Sequence, residues 1–155
     1  MSTSLHTTEN EITLGNVRQA DLGDEKLNLE YVIESQRMFF EAGMSKNLAF
    51  RRKQLHKLHQ VIEDNEEGLL AALKKDLGKT EIESYITEIG FVQKEIDHAL
   101  DHLNQWASPK TVSTPLIHFY SRSKIYYEPY GIVLIIGTWN YPFHLTIAPL
   151  VAAMA

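Results

Sequence analysis

The sequence predicts an α/β fold: a series of helices, followed by the first strand–turn–helix of a parallel-sheet unit. Three observations lead there. Apolar residues recur at helical spacing almost without a break from Leu27 to Trp106. The run Ile132 to Ile136 is continuously apolar, the pattern of a strand covered on both faces in a parallel sheet. Gly137 then opens a tight turn and Pro142 suits the first turn of a closing helix. Strand, tight turn and helix in that order open an α/β nucleotide-binding unit.

The chain divides into residues 1–26, an N-terminal extension; 27–108, helices; 109–128, short strands; and 129–155, the strand–turn–helix. The extension is polar and acidic, without a sustained period, and reads as flexible. It has neither a basic start nor an apolar core, so it is not a signal peptide, and the expected location is cytoplasmic. The 155 residues are 44% hydrophobic, enough for a packed domain. The net charge of -5, with no block of Lys and Arg, argues against a nucleic-acid partner. There is no cysteine, which excludes disulfides, Cys-ligated metals and a cysteine nucleophile within this chain.

The first helix is expected from about Leu29 to Ala42, with Val32, Ile33, Met38 and Phe39 as core candidates and Gly43 as its stop. Ser45 is the expected cap of the second helix, in which Leu48, Leu55, Leu58 and Ile62 define one buried face. Asn65 breaks that run. The third helix, "EEGLLAALKKDLG", turns Leu69, Leu70 and Leu73 inward. Glu66 and Glu67 at its start and Lys74 and Lys75 near its end match the helix dipole, and Gly78 stops it. A long fourth helix comes next, on the order of 35–40 Å. Its expected stripe is Ile82, Tyr85, Ile86, Ile89, Ile96, Leu100, Leu103 and Trp106. Beyond Pro109, β-branched and aromatic residues mark two short strands, around Thr111 to Ser113 and Lys124 to Tyr127; Pro115 and Pro129 place them at an edge. The final helix, Phe143 to Ala155, is apolar nearly all round and is therefore expected to be buried.

Several patterns resemble known sites without satisfying them. "LGKT" at Leu77 to Thr80 ends like a phosphate-binding loop, but Leu73 stands where that motif needs glycine, and a helix rather than a strand precedes it. It reads as a helix stop and a new start. His98 and His102 stand four apart on one face, with no third ligand evident, and His56 and His59 are no better placed; no metal is expected. No pair of carboxylates stands out as an acid/base site. From Pro129 to Ala155 there is no Asp, Glu, Lys or Arg, so a tail anchor is an alternative. Trp139, Asn140, Tyr141, Pro142 and His144 in the middle of that segment speak against a membrane span.

The segment "EPYGIVLIIGTWNYPFHLTIAPLVAAMA" resembles the aldehyde dehydrogenase superfamily, most closely its class 3 and coniferyl aldehyde dehydrogenase branch. The helical stretch from "AFRRKQLHKL" to "DHLNQWASP" is similar to that branch's N-terminal helices, so the resemblance spans about Leu29 to Ala155. It implies a Rossmann-like NAD(P)-binding domain and the oxidation of aldehydes to carboxylic acids through a cysteine thiohemiacetal. By the same resemblance Asn140 is the catalytic oxyanion donor, Ile136, Gly137, Thr138 and Trp139 line the nicotinamide side of the cofactor cleft, and Tyr141 faces the aldehyde. Many relatives carry Pro at the position of Thr138. On spacing alone Asn140 reads rather as a helix N-cap just before Pro142, and the two roles are compatible.

The resemblance further implies NAD or NADP as cofactor, an aldehyde substrate and a homo-oligomer, in the first instance a dimer. The short strands stand where the family has an oligomerisation arm. The family's catalytic Cys, general-base Glu and ribose-binding Lys lie beyond Ala155, so the chain is expected to be an N-terminal part that is inactive alone. Two alternatives are a non-catalytic helical interaction module derived from such a part, and a tail-anchored membrane protein.

Overall fold

The structure, a computed structural model, describes residues 29–155. The extension read over residues 1–26 lies outside the described residues.

Helix α1 spans Leu29–Glu41. Gly43 ends it in the left-handed region (φ 75°), and a 3-10 turn comes next at Met44–Lys46. That turn carries the chain past Ser45 before the second helix starts, so the cap falls to Asn47. Its side chain accepts from Ala49 N at 2.8 Å and Phe50 N at 3.2 Å and so satisfies two amides with no partner inside the helix. Helix α2 (Leu48–Asp64) leads through Asn65 into α3 (Glu66–Leu77). Gly78 (φ 68°) closes α3 by donating to Lys74 O, and Thr80 caps the next segment by accepting from Glu83 N. The Leu77–Thr80 stretch is thus a helix stop and restart.

From Glu81 to Trp106 the chain forms one continuous rod in three pieces: α4 (Glu81–Ser84), a π-helical turn (Tyr85–Ile89) and α5 (Gly90–Trp106). The π turn corrects the predicted stripe. It inserts an extra residue into one turn and rotates everything upstream relative to α5. The predicted members Ile82 and Ile86 therefore face solvent, at 74% and 64% exposure, and Tyr85 turns outward with them. Ser84 and Glu88 take the buried positions. From the last residue of the turn onward Ile89, Ile96 and Leu103 are buried as expected, joined by Val92 and Ala99, while Trp106 at the end is exposed.

The core lies between α2, the π turn with α5, and the last helix α6 (His144–Met154). Leu55, Ile62, Ile89, Val92, Ile96, Ala99 and Val151 form it, flanked by Leu58, Leu69, Leu70 and Phe143. Arg52 ties α2 to α5 through Leu100 O at 3.2 Å, and Arg51 reaches Ala155 O at 2.9 Å. Two strands, β1 (Lys110–Val112) and β2 (Ser123–Ile125), pair antiparallel with Thr111 opposite Lys124. The Thr114 hydroxyl accepts from Ser123 N and closes the loop between them.

Three further expectations are corrected. Helix α1 has no buried residue: of its predicted core residues Ile33, Met38 and Phe39 are exposed and Val32 is half-buried. The Phe39 ring meets Phe50 of α2, and Phe40 lies against Gly131. Residues 132–136 are not a strand. A strand needs a hydrogen-bonded neighbour, the β1–β2 pair is the one sheet among the described residues, and Leu134 and Ile136 are 85% and 80% exposed. Helix α6 is buried on one face only; Val151 is fully covered, while Leu145, Pro149, Ala152 and Ala153 remain open. No helix among the described residues is long and apolar enough to cross a membrane.

Candidate active-site turn

The catalytic, cofactor and substrate residues singled out in the sequence lie between Ile136, at the end of the 132–136 run, and α6. Gly137 is seated directly against α6: a Cβ added there would run into the Thr146 side chain. Only glycine allows the link to lie this close, and its position fixes where Thr138 and Trp139 emerge. Trp139 projects into solvent at 92% exposure, and Ile136 on the other side of Gly137 is also open.

Asn140 stands at the turn itself. The Thr138 hydroxyl donates to its Oδ1 at 2.9 Å. With the amide oxygen taken up, the Nδ2 group is the end left to donate outward. Asn140 does not cap α6, which corrects the capping alternative. The amides at the start of that helix go elsewhere: Glu88 Oε2 accepts from Phe143 N at 2.9 Å and His144 N at 3.2 Å. A carboxylate at a helix N-terminus meets both unpaired N–H groups and the positive end of the dipole.

Glu88 has no exposed surface, and its other oxygen, Oε1, accepts from Lys79 Nζ. Lys79 is nearly as deeply buried. Its ammonium also donates to Asn140 O at 3.0 Å and sits 3.9 Å from the centre of the Tyr141 ring. A lysine from the α3–α4 link and a glutamate from the π turn thus hold both ends of residues 140–144. Among the described residues this is the one ion pair that is buried on both sides.

The sequence pattern missed both residues. Lys79 belongs to the "LGKT" stretch, which matches a phosphate loop only at its end. Glu88 lies one place off the predicted stripe, and the π turn brings it inward. Gly90 was the available signal. It sits within a helical run, and a Cβ there would press on Tyr85 O and the Tyr85 ring at 3.1 Å, where the π turn bulges.

The remaining singled-out groups assemble no second site. His98, His102 and Trp106 stack along the outer face of α5, with ring centres of the two histidines 4.1 Å apart. His102 Nδ1 is engaged by His98 O at 2.8 Å. No group of three potential metal ligands occurs among the described residues.

The sequence model of the aldehyde dehydrogenase family matches residues 6–155. The chain belongs to the aldehyde dehydrogenase family. The match begins well upstream of Leu29, so family likeness takes in most of the N-terminal extension as well. Among family members, 4,4'-diaponeurosporen-aldehyde dehydrogenase of Staphylococcus aureus is 43% identical over 127 residues, covering 82% of this chain and 28% of that protein. Aldehyde dehydrogenase family 3 member A2 of Macaca fascicularis is 39% identical, covering 82% of this chain and 26% of its own length. Family 3 member B3 of Mus musculus is 40% identical over 143 residues, 92% of this chain and 29% of that protein. The chain therefore spans less than a third of the length of the curated relatives it matches. The solved substrate-bound state of Staphylococcus aureus AldH superposes with a TM-score of 0.79 at 43% identity, over 81% of this chain and 28% of that one. The class 3 members of the family are thus the relatives the chain resembles.

Proposed function

We propose that this chain supplies the oxyanion-binding edge of an NAD(P)-dependent aldehyde dehydrogenase, which oxidises aldehydes to carboxylic acids through a cysteine thiohemiacetal. The observation that carries the reading is the hydrogen bond from Thr138 Oγ1 to Asn140 Oδ1, which engages the oxygen of this exposed amide and leaves Nδ2 as its donating end. The nucleophilic cysteine comes from outside this sequence, which has none.

When a thiolate adds to an aldehyde, its electron pair forms the C–S bond and the carbonyl π pair moves onto oxygen. Asn140 Nδ2–H donates to that oxygen as it gains charge. A donor already held in place has no reorganisation to undergo at that moment, which is the basis of oxyanion stabilisation. Thr138 holds the amide in the donating orientation, and the backbone carbonyl of Asn140 is held by Lys79.

The residues fit a nicotinamide cofactor on one side. Gly137 keeps the backbone flat against α6, and the exposed faces of Ile136 and Trp139 flank it as an apolar wall for a planar ring. Ile136, Gly137, Thr138 and Trp139 would line that side of the cleft for NAD or NADP, which supplies the hydride acceptor. Tyr141 would form the adjoining wall of the aldehyde pocket, with one face of its ring against Lys79. The exposed apolar side chains of Leu116, Ile117, Phe119 and Tyr120, between the strands, support a homodimer contact through this arm. We place the activity in the cytoplasm.

The test uses a full-length dehydrogenase: the Staphylococcus aureus enzyme with residues 29–155 of this chain in place of its own equivalent segment. It should oxidise aldehydes with NAD(P), and Asn140→Ala should depress turnover while leaving cofactor affinity in place. Loss of cofactor binding with unchanged turnover of bound substrate would refute the role.

A further inference from the structure

We propose that Lys79 and Glu88 are positioning residues for catalysis, a buried clamp that sets the direction of the Asn140 amide; the proposal builds on the oxyanion role of that residue. Three observations carry it. The pair lies at the bottom of the turn, with Glu88 fully buried, so it exists at the cost of desolvating two charges. Well-packed apolar residues would serve stability as well or better in such a place. Second, all polar contacts of the pair beyond its own bridge go to the candidate active-site turn and the start of α6. Lys79 Nζ holds Asn140 O, and Glu88 Oε2 holds Phe143 N and His144 N. Third, Glu88 is brought inward by the π turn, an irregular element within an otherwise regular rod. Such bulges are frequently found at functional sites.

The geometry states what the clamp does. The peptide unit after Asn140 has its carbonyl fixed by Nζ, and the peptides entering Phe143 and His144 have their N–H groups fixed by the carboxylate. The backbone between them, Tyr141 and Pro142, is restrained from both ends. The Tyr141 ring lies over the same ammonium and resists rotation about the link. Residue 140 then has little freedom in its backbone, and the Thr138 hydroxyl sets the remaining side-chain torsions.

Two experiments test this. In the 155-residue chain, hydrogen exchange should find the Phe143 and His144 amides as slow as the α5 core amides, because their acceptor is fully buried. Exchange at the rate of exposed amides would overturn the clamp without recourse to any variant. In the chimeric full-length enzyme, the double substitution Lys79→Met with Glu88→Gln removes both charges. It leaves an amide oxygen to cap α6 and frees Asn140 O. It should lower kcat on the order of 10²-fold, the scale of a small misplacement of a catalytic group. The aldehyde KM should change less than about threefold, since only transition-state contact is lost. Added to Asn140→Ala, the double substitution should cause no further fall in kcat, because there is no amide left to aim. An unchanged kcat, or a fall that multiplies with that of Asn140→Ala, would overturn the proposal. If Asn140→Ala itself leaves turnover intact, the oxyanion reading fails instead, and the exchange experiment still judges the clamp.

Discussion

The carboxylate of Glu88 accepts a hydrogen bond from the main-chain amide of Phe143, 55 residues further along, at 2.9 Å. This contact joins the long helical rod to the turn that carries Asn140. It also explains how α6 starts without a side-chain cap of its own. The start of that helix is determined by a residue on another element, so the turn ahead of it is only as well placed as the rod beneath it.

For Asn140, the expectation is a loss of about 10²–10³-fold in turnover on substitution by alanine, the usual scale for one oxyanion donor. Steady-state kinetics of the chimeric full-length enzyme, with cofactor affinity measured separately, check it. Thr138→Val keeps the shape but removes the hydroxyl that orients the amide, and should give a smaller loss in the same parameter.

Gly137 bears on the same site through packing. Gly137→Ala places a methyl group into the Thr146 side chain and should cost about 1–3 kcal/mol, the range for overpacking. Thr146→Ala removes the colliding hydroxyl and should restore most of that loss. Urea unfolding of the two single variants and the double variant measures the coupling. Strictly additive effects would mean that the link does not lie against α6.

The π turn makes a prediction about which isoleucines matter. Ile96→Ala, in the core, should destabilise by about 2–5 kcal/mol, whereas Ile86→Ala, on the exposed side, should stay within about 0.5 kcal/mol. An unbroken α-helix from Glu81 to Trp106 would make both costly. Comparable losses at the two sites would show that the rod is regular.

The 155-residue polypeptide itself should not reduce NAD(P) in the presence of an aldehyde, because thiohemiacetal formation needs a thiolate and the sequence holds no cysteine. Leu134, Ile136 and Trp139, together with Leu116, Ile117 and Tyr120, leave extensive apolar surface open. Concentration-dependent self-association in sedimentation velocity is expected from such a surface. A monodisperse monomer that generates NAD(P)H from an aldehyde would contradict both statements.

The sequence by itself determined the elements with strong local signals. Gly43 and Gly78 end helices because their left-handed backbone suits only glycine well. Leu55, Ile62, Ile89, Ile96 and Leu103 are buried because their spacing puts them on one face of a helix. The "GTWNYPF" stretch carried the family resemblance and with it the candidate site. Tertiary structure decided the rest. Whether Ile132 to Ile136 forms a strand depends on a hydrogen-bonded neighbour, which no local pattern supplies. Whether α1 and α6 are covered depends on what packs against them, not on how apolar they are. The Lys79–Glu88 clamp was illegible for a related reason. Its partners lie up to 61 positions apart, and the π turn that carries Glu88 inward is a single-residue shift of phase. Periodicity is set by residues close in sequence; burial of a charge is set by residues brought together only when the chain has folded.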